Sequence, residues 1–207
     1  MTGFFITIEG GEGAGKSTMM DRVANWLESR NHVVVRTREP GGTELAESLR
    51  TILLDRNNDT LCSLTELLLM FASRAQHLAE VIRPALERGE TVLCDRFTDA
   101  TWAYQGGGRE MPATEIAALE KLVHGDLQPD LTLLLDLPVE TGMKRASLRS
   151  DYDRFEVESL VFFERVRSAY LARANEQSHR FEVIDAAQEM ESVWSQIAQV
   201  LKQRIEG

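Results

Sequence analysis

The chain has 207 residues, of which 43% are hydrophobic and 27% charged, and its formal net charge is -10. This composition is that of a globular protein with one well-cored domain, residues 1–207, and the acidic balance argues against nucleic-acid or anionic-membrane partners, which need a basic face. No run approaches the roughly 20 apolar residues of a membrane span, and the first residues lack a secretion-signal pattern, so we expect a cytoplasmic protein.

Five short apolar runs predict strands, and longer amphipathic stretches separate them. The strand sequences are, in chain order, FFITIEG, HVVVRT, TVLCDR, LTLLLDL and RFEVIDA. Helical periodicity covers about 16–30, 43–54, 64–88, 112–124, 138–148, 156–175 and 188–205. Apolar strands that alternate with helices are typical of a parallel sheet buried on both faces. We therefore expect an α/β fold in which helices flank a five-stranded parallel sheet.

Two stretches depart from this alternation. Residues 99–111, DATWAYQGGGREM, contain three consecutive glycines and predict a loop. Residues 145–156, RASLRSDYDRFE, are dense in charge and would ordinarily form a solvated connection between helices. The arginines of this second stretch gain a role only if the functional site needs cations that move.

The cysteines and histidines give no sign of a metal site or a disulfide. Cys62 and Cys94 have apolar neighbours and lie far apart in sequence, so we expect two buried free thiols. The four histidines lack a ligand spacing such as HExxH. We expect no metal site made of protein side chains alone.

A glycine-rich segment follows the first predicted strand and leads into the first predicted helix. Residues 10–17, GGEGAGKS, match the phosphate-loop pattern G-x-x-x-x-G-K-[ST] in the strand-then-helix context that the pattern requires. Glycines let successive backbone N–H groups face one anion, and the helix N-terminus adds a favourable dipole. Lys16 suits the β- and γ-phosphates, and Ser17 suits Mg²⁺. The expected ATP-binding residues here are Gly10, Gly11, Gly13, Ala14, Gly15, Lys16, Ser17 and Thr18.

A phosphate loop alone is found in several classes of nucleotide-binding protein. A small GTPase would add N-K-x-D and D-x-x-G, which this sequence lacks, and a motor ATPase would be larger. A small-molecule kinase remains, and it needs a second anion site that faces the first. Arg38 and Arg96 follow predicted strands, and open α/β sheets bind ligands at the carboxyl ends of their strands. Two guanidinium groups there suit an acceptor phosphate.

An aspartate at a strand end is the candidate for a magnesium ligand. Asp95 closes the apolar run TVLCD, a position at which phosphate-loop proteins hold Mg²⁺. Asp136 ends another strand and stays open as an alternative, although no arginine follows it. For Asp95, a simple strand-end cap is the competing interpretation.

Five segments together resemble the bacterial thymidylate kinase family, in order and in spacing. They are GGEGAGKST, TREPGGT, LLLMFASRAQH, CDRFTDATWAYQGGGR and DRFE, and the resemblance covers essentially the whole chain. It implies a three-layer P-loop nucleoside monophosphate kinase fold, with a mobile lid at about 145–156. It also implies a homodimer that uses ATP and Mg²⁺ to convert dTMP to dTDP in dTTP biosynthesis.

The resemblance also assigns roles around the acceptor nucleotide. It places Glu12 near the sugar 3′-hydroxyl, and Arg38 and Arg96 at the acceptor phosphate. Phe71 is expected to stack on thymine, with core packing as the alternative, and Arg74 to donate to a base carbonyl. These two lie three residues apart and so share a helix face. The implied dTMP-binding set is Glu12, Arg38, Phe71, Arg74, Arg96, Thr101, Tyr104 and Gln105.

Further positions follow from the same resemblance. Thr101 is expected at the polar edge of the base, and Tyr104 where a ring crowds the 2′ position of the sugar. Asp185 resembles the loop near the donor adenine, and Arg145 is expected to bind ATP as well. Ser17 and Asp95 are the expected magnesium residues.

Gly13 distinguishes two branches of the family. Some members carry an arginine at this loop position, whereas the branch with glycine supplies arginines from the lid. A closing lid brings cations onto the transferring phosphoryl group and excludes water. Arg149 is our first choice for this role and Arg154 the second, because two aspartates beside Arg154 offer it a local ion pair. The implied catalytic set is Glu12, Lys16, Arg96, Arg149 and Arg154.

Two other functions remain open at this point. A kinase for another nucleoside monophosphate is one, and FASR together with YQGGGR argues against it. A non-catalytic nucleotide-binding protein is the other. Such a protein has no reason to keep Arg38, Arg96 and the lid arginines together.

Overall fold

Five strands form one all-parallel sheet in a computed structural model that describes residues 3–58, 60–147, 154–155 and 158–206. The strands are β1 (Phe4–Gly10), β2 (Val34–Arg38), β3 (Thr91–Asp95), β4 (Leu131–Asp136) and β5 (Phe181–Asp185). Their order across the sheet is β2-β3-β1-β4-β5. All four pairings are parallel, which confirms the predicted α/β class and strand number.

Helices cover both faces of this sheet. The α-helices are α1 (Lys16–Glu28), α2 (Glu44–Leu54), α3 (Ser63–His77), α4 (Arg83–Glu87), α5 (Thr98–Thr101), α6 (Ala113–Val123), α7 (Val139–Ala146), α8 (Leu160–Glu176) and α9 (Met190–Ile205). A π-helical turn, Leu78–Ile82, joins α3 to α4, so the predicted helix 64–88 is a composite of three segments. Within the described ranges, no helix is long and apolar enough to cross a membrane.

The hydrophobic core divides between the two faces of the sheet. Ile6 and Ile8 of β1 pack with residues of α1 and α9 on one side. Phe5, which points the other way, packs with Leu78 and Ile82 of the π-helical turn. The central strands β3, β1 and β4 are almost wholly buried, whereas the edge strand β2 has no fully buried residue and the edge strand β5 has two. Burial on both faces is therefore a property of the three central strands only.

The predicted loop at residues 99–111 is wrong. Helix α5 and a π-helix, Trp102–Gly108, occupy most of this stretch. A Cβ on Gly107 would lie 2.6 Å from Cβ of Ala169 and 2.9 Å from the Arg165 carbonyl oxygen, and one on Gly108 would overlap the Phe162 ring. The glycines thus permit the π-helix to pack directly against α8. Close approach, not flexibility, explains them.

The two cysteines differ in burial. Cys94 is buried in β3, as expected, but Cys62 is exposed, so the prediction of two buried thiols is wrong for Cys62. Cys62 precedes the first turn of α3, where its Sγ lies 3.1 Å from Oγ1 of Thr65. The apolar neighbours of Cys62 in sequence do not enclose it, because the start of α3 faces solvent. Both thiols are free.

We expect Gly107→Ala to destabilise the protein by about 1–3 kcal/mol more than Gly106→Ala, because overpacking a rigid helix contact costs energy of this order. A Cβ on Gly106 meets only the flexible end of Ile116, at 3.2 Å. Both changes gain the same helix propensity, so their difference isolates the packing against α8. Urea denaturation of the two variants measures it. Equal free energies of unfolding would contradict this account.

Candidate active site

The phosphate loop lies between β1 and α1, as its motif predicts. Gly13 and Gly15 have φ values of 69° and 87°, which lie in the left-handed region that favours glycine. The Lys16 side chain folds back, and its Nζ donates to the carbonyl oxygens of Gly10 (3.1 Å) and Gly11 (3.0 Å). The ammonium group is thereby held over the loop, where it is expected to contact bound phosphates.

Gly13 has a second constraint besides its backbone conformation. A Cβ on Gly13 would overlap the carbonyl oxygen of Gly142 in α7. A Cβ on Gly142 would in turn overlap the carbonyl oxygen of Glu12. The loop and α7 are in backbone contact at this point, so no side chain fits at position 13 while α7 keeps its place.

One cavity of about 350 Å³ joins the phosphate loop to the carboxyl ends of β2 and β3. It brings together most of the side chains that the sequence singles out, from the phosphate loop and from several helices and strands. The predicted residues that line it are Glu12, Gly13, Ala14, Gly15, Lys16, Ser17, Arg38, Arg74, Asp95, Arg96, Thr101, Tyr104 and Gln105.

Arg96 and Glu12 form an ion pair across the cavity wall. Nη2 of Arg96 lies 2.7 Å from Oε1 of Glu12 and 2.8 Å from the Tyr104 hydroxyl, which itself donates to Glu12 at 2.8 Å. Burial alone would raise the pKa of Glu12, but Arg96 and Lys16 hold it well below its ordinary value. Glu12 is therefore an anion at neutral pH. Arg96 has a φ of 69°, so its backbone is strained in order to aim the side chain here.

Arg38 lines the cavity from the end of β2. Its Nη2 and Nε lie 2.8 Å and 3.2 Å from the two carboxylate oxygens of Glu47 in α2. Just over half of the Arg38 side chain is exposed (53%). The guanidinium is thus held at the cavity edge by a partner in solvent, where an anionic ligand can compete for it.

Asp95 fits a magnesium ligand better than Asp136 does. Oδ1 of Asp95 is buried and has no hydrogen-bond partner among the described residues, and Ser17 lines the same cavity. The Asp136 carboxylate is instead held by Nε and Nη2 of Arg167, at 2.8 Å and 2.9 Å. The described ranges contain no group of three acidic, histidine or cysteine side chains that would hold a metal. Two hard oxygens suit Mg²⁺ that arrives with phosphates.

Arg74 is buried in the floor of the cavity. Nε donates to Glu39 at 2.7 Å, and Nη2 donates to the Phe97 carbonyl (3.2 Å) and to Oγ1 of Thr101 (3.0 Å). Nη1 is buried and has no hydrogen-bond partner in the described part of the chain. Arg74 lines the cavity, and Nη1 is its one guanidinium nitrogen without a partner among the described residues.

Phe71 does not fit the stacking role expected of it. Its ring is buried (2% exposed) against Leu67 and Ile116, and it contacts Arg74, whose guanidinium carbon lies 4.8 Å from the ring centroid, but Phe71 does not itself line the cavity. Met70 lines the cavity together with Arg74, four residues further along α3. Met70 and Phe71 are neighbours on α3, and each residue turns the helix by 100°, so their side chains face different directions. The aromatic residue in MFASR led the sequence interpretation to Phe71, whereas Met70 is the one that lines the cavity.

The structure describes two of the three expected lid arginines, Arg145 and Arg154, and they have different surroundings. Arg149 lies outside the described residues, as do the two aspartates beside Arg154. Arg154 is buried, with Nε donating to the Leu53 carbonyl at 2.9 Å and Nη2 paired with Glu66 of α3. Its ion pair is therefore with a distant glutamate. Gln105, on the π-helix, donates to the same Glu66 at 2.8 Å.

Arg145 and Asp185 come together beyond the end of β5. Arg145 donates to the carbonyl oxygens of Ala186 (2.8 Å) and Ala187 (3.1 Å). Asp185 accepts from the backbone N–H of Ala187 at 3.0 Å and is exposed. These residues, with exposed Thr18, lie outside the lining of the main cavity.

Sequence and structure comparisons agree on one family. The thymidylate kinase family model matches residues 8–197. The chain is 57% identical over 206 residues to the thymidylate kinase of Pseudomonas syringae pv. tomato, covering 100% of this chain and 98% of the relative. It is 55% identical over 203 residues to that of Alcanivorax borkumensis, covering 98% of each.

The solved structures give the same result. The crystal structure of thymidylate kinase from Ehrlichia chaffeensis superposes with a TM-score of 0.79 at 35% identity, covering 98% of this chain and 99% of that one. The chain belongs to the thymidylate kinase family. The shared fold confirms the predicted P-loop architecture.

The residues of the site that the sequence interpretation missed include Glu9, Glu39, Arg50 and Met70. Arg50, Met70 and Glu39 line the cavity, and Arg50 donates from Nη1 to the Pro40 carbonyl at 2.9 Å. Glu9 lies just behind the loop, fully buried at the end of β1. An acidic residue inside an apolar strand was the available signal for Glu9. Glu39 and Met70 lie in the recognised segments TREPGGT and LLLMFASRAQH, but nothing in these segments singled them out, and Arg50 lies in neither.

Glu9 anchors the strained turn at Arg96. Its Oε1 accepts from the backbone N–H of Phe97 at 2.7 Å, and its Oε2 accepts from the Tyr170 hydroxyl at 2.8 Å. Burial, followed by the nearby charge of Asp99, raises the pKa of Glu9 from 4.5 to about 8. The folded protein therefore keeps a proton at pH 7 that the unfolded chain releases.

We expect Glu9→Gln to remove a pH dependence of stability. In the native chain the proton on Glu9 stabilises the fold fully below about pH 4.5, and this contribution is lost as the pH rises through about 8. Glutamine does not ionise, so the free energy of unfolding of the native chain should fall relative to the variant between pH 5 and pH 8. Urea denaturation at a series of pH values measures the difference. A difference that stays constant with pH would mean that Glu9 is not protonated in the fold.

Proposed function

We propose that the chain transfers the γ-phosphoryl group of ATP to the phosphate of dTMP, giving ADP and dTDP for dTTP biosynthesis. The observation that carries the proposal is the shared cavity, which brings two further cations to the phosphate loop and its lysine. Lys16 and Arg96 both donate to the carbonyl oxygen of Gly10 in the loop, at 3.1 Å and 3.2 Å, and Arg38 lines the same cavity from the end of β2. Family membership identifies the acceptor as thymidylate.

The proposed chemistry needs no covalent enzyme intermediate. An oxygen of the acceptor phosphate is already anionic, so it attacks the γ-phosphorus without a general base, and catalysis consists of positioning and charge neutralisation. Arg96, fixed by Glu12 and Tyr104, is directed at the acceptor phosphate. Glu12 also stands beside the sugar 3′-hydroxyl in this proposal, where an ionised carboxylate accepts a hydrogen bond.

Mg²⁺ is proposed to enter with ATP and to be held by Ser17 and Asp95. When bound, the ion neutralises charge on the phosphate oxygens. The unpartnered Oδ1 of Asp95 supports this assignment. Lys16, with its three donors, supplies the loop's own positive charge to the same phosphates.

The thymine is proposed to lie over Met70, with its edge toward Arg74, Thr101 and Gln105. The free Nη1 of Arg74 is the donor to a base carbonyl. Tyr104, buried against Phe155 with ring centroids 5.8 Å apart, crowds the sugar 2′ position. A rigid ring there disfavours a ribose hydroxyl.

Arg149 remains our first choice for the lid cation. Arg154 is occupied by Glu66 and by the Leu53 carbonyl, which favours a structural role for it. Arg145 is proposed to serve ATP from the adenine side, together with Asp185. Both assignments follow the family resemblance and the position of the turn after β5.

A cytoplasmic homodimer is part of the proposal. Leu64 and Leu68 are exposed (52% and 47%) one turn apart on α3, and Leu122 is exposed (79%) on α6, which packs beside α3. Exposed apolar side chains grouped in this way suit an interface with a second copy. Light scattering of the native chain and of Leu68→Glu tests it, since the variant should dissociate.

Release of ADP across a panel of nucleoside monophosphates tests the function. We expect kcat/KM with dTMP to exceed the values with dAMP, dGMP, dCMP and UMP, with strict dependence on Mg²⁺. A different preferred acceptor would identify a kinase for another nucleotide. No acceptor-dependent ADP release at all would favour the non-catalytic alternative.

We expect Lys16→Ala to lower kcat by about 100-fold or more while the fold survives, because a preorganised charge on the transferring group is lost. Steady-state kinetics and circular dichroism measure the two effects. Arg22→Ala, on the same helix but paired with Glu191 at the surface, is the matched control and should retain activity. Turnover close to that of the native chain in Lys16→Ala would remove the phosphate-loop assignment.

A further inference from the structure

A buried hydrogen-bonded chain runs behind Arg74. The Glu39 carboxylate receives Nε of Arg74 at 2.7 Å on one oxygen and Nδ1 of His77 at 3.0 Å on the other. Nε2 of His77 continues the chain to Oγ1 of Thr37 at 2.5 Å. All three of the central side chains are at least 95% buried.

This chain fixes the orientation of the Arg74 guanidinium. The group lies between the rings of Phe71 and Phe97, at 4.8 Å and 5.1 Å from their centroids, which sets its plane. Glu39 at Nε, and the Phe97 carbonyl and Thr101 at Nη2, then set the rotation within that plane. Nη1 is left as the nitrogen without a partner in the described ranges.

The chain also ties two elements of the acceptor site together. Glu39 and Thr37 belong to β2 and the segment that follows it, next to Arg38 at the phosphate end. Arg74 and His77 lie three residues apart on α3, so one face of this helix receives the whole chain. Gly42 packs against the His77 ring so closely that a Cβ there would lie 2.5 Å from it.

The charge state supports the same arrangement. Burial alone would raise the pKa of Glu39, but Arg74 and His77 hold it below its ordinary value. The carboxylate is thus an anion that Arg74 neutralises. An unpaired buried charge on either side is costly, so the pair stays closed.

We propose that Glu39 and His77 are positioning residues for base recognition, which act only by directing Nη1 of Arg74 into the cavity. This rests on the proposed function, in which Arg74 donates to a carbonyl of the base. Neither residue needs to touch the nucleotide. The proposal explains why an acidic residue and a histidine lie behind a cationic group that faces a ligand.

The test compares Glu39→Gln with Arg180→Gln. Arg180 is equally buried and pairs with Asp99 at 2.7 Å, but it does not line the cavity. We expect Glu39→Gln to raise the KM for dTMP about tenfold, which corresponds to about 1.4 kcal/mol, and to leave the KM for ATP unchanged. Arg180→Gln should lower Tm without changing either KM. A Glu39→Gln variant that only loses Tm, like the control, would overturn the proposal.

A double-mutant cycle separates this proposal from the assignment of Arg74. In an Arg74→Ala background, Glu39→Gln should add no further rise in the KM for dTMP, because its effect passes through Arg74. An additive rise would overturn the positioning role. If Arg74→Ala alone left the KM for dTMP unchanged, the base-donor assignment in the proposed function would be the part that fails.

His77→Phe provides a second route should Glu39→Gln not fold. It keeps a planar ring and removes both nitrogens, so Glu39 loses one partner and keeps Arg74. We expect the KM for dTMP to rise by a smaller factor than in Glu39→Gln, with the KM for ATP unchanged. An unchanged KM for dTMP in a folded His77→Phe would also overturn the proposal.

Discussion

The ion pair between Arg96 and Glu12 is the contact on which the geometry of the site depends. It joins the phosphate loop after β1 to the residue after β3, and the Tyr104 hydroxyl brings the π-helix to the same point. Arg96 reaches it only through a left-handed backbone, which Glu9 secures from behind through the next N–H. The loop after β1 and the turn after β3 are therefore joined before any ligand arrives, and in the proposed reaction this contact supplies part of the preorganisation that phosphoryl transfer requires.

Buried carboxylates paired with distant arginines recur through this structure. Glu39 pairs with Arg74, Glu66 with Arg154, and Asp99 with Arg180, each across many residues of sequence. Such pairs contribute little net stability, because desolvation offsets their attraction. These pairs instead fix the direction of the side chains, because any orientation that broke the pair would leave a buried charge without its partner. At Glu39 that direction coincides with the wall of the cavity, which Glu39 and Arg74 both line.

Local sequence patterns predicted the parts of the fold that depend on periodicity and spacing. The strands, their parallel pairing and the phosphate loop follow from apolar alternation and from one glycine-lysine pattern. The three glycines before Arg109 led to the wrong prediction of a loop at residues 99–111, because glycine permits tight helix packing as readily as it permits a turn. Phe71 misled because the letter suggested an aromatic surface, while the helix phase turned Met70 toward the cavity.

Other features were beyond any local pattern. Arg154 pairs with Glu66, which is 88 residues away in sequence. The exposure of Cys62 depends on which side of α3 faces solvent. Glu39 and His77 are in recognisable segments, but only folding places them behind Arg74. Such contacts join segments that are distant in sequence, so they produce no periodicity or motif from which they could be predicted.

The backbone contact between Gly13 and Gly142 has a consequence for how this sequence can change. A loop arginine at position 13 would need both a tolerated left-handed conformation and room that the α7 carbonyl now fills. A single substitution at position 13 would incur both the backbone strain and the overlap with α7. A prior displacement of α7 would remove the overlap but not the backbone strain. The two glycines are therefore coupled positions, and conversion to the arginine-bearing form of the loop requires a repositioned helix as well as a new codon.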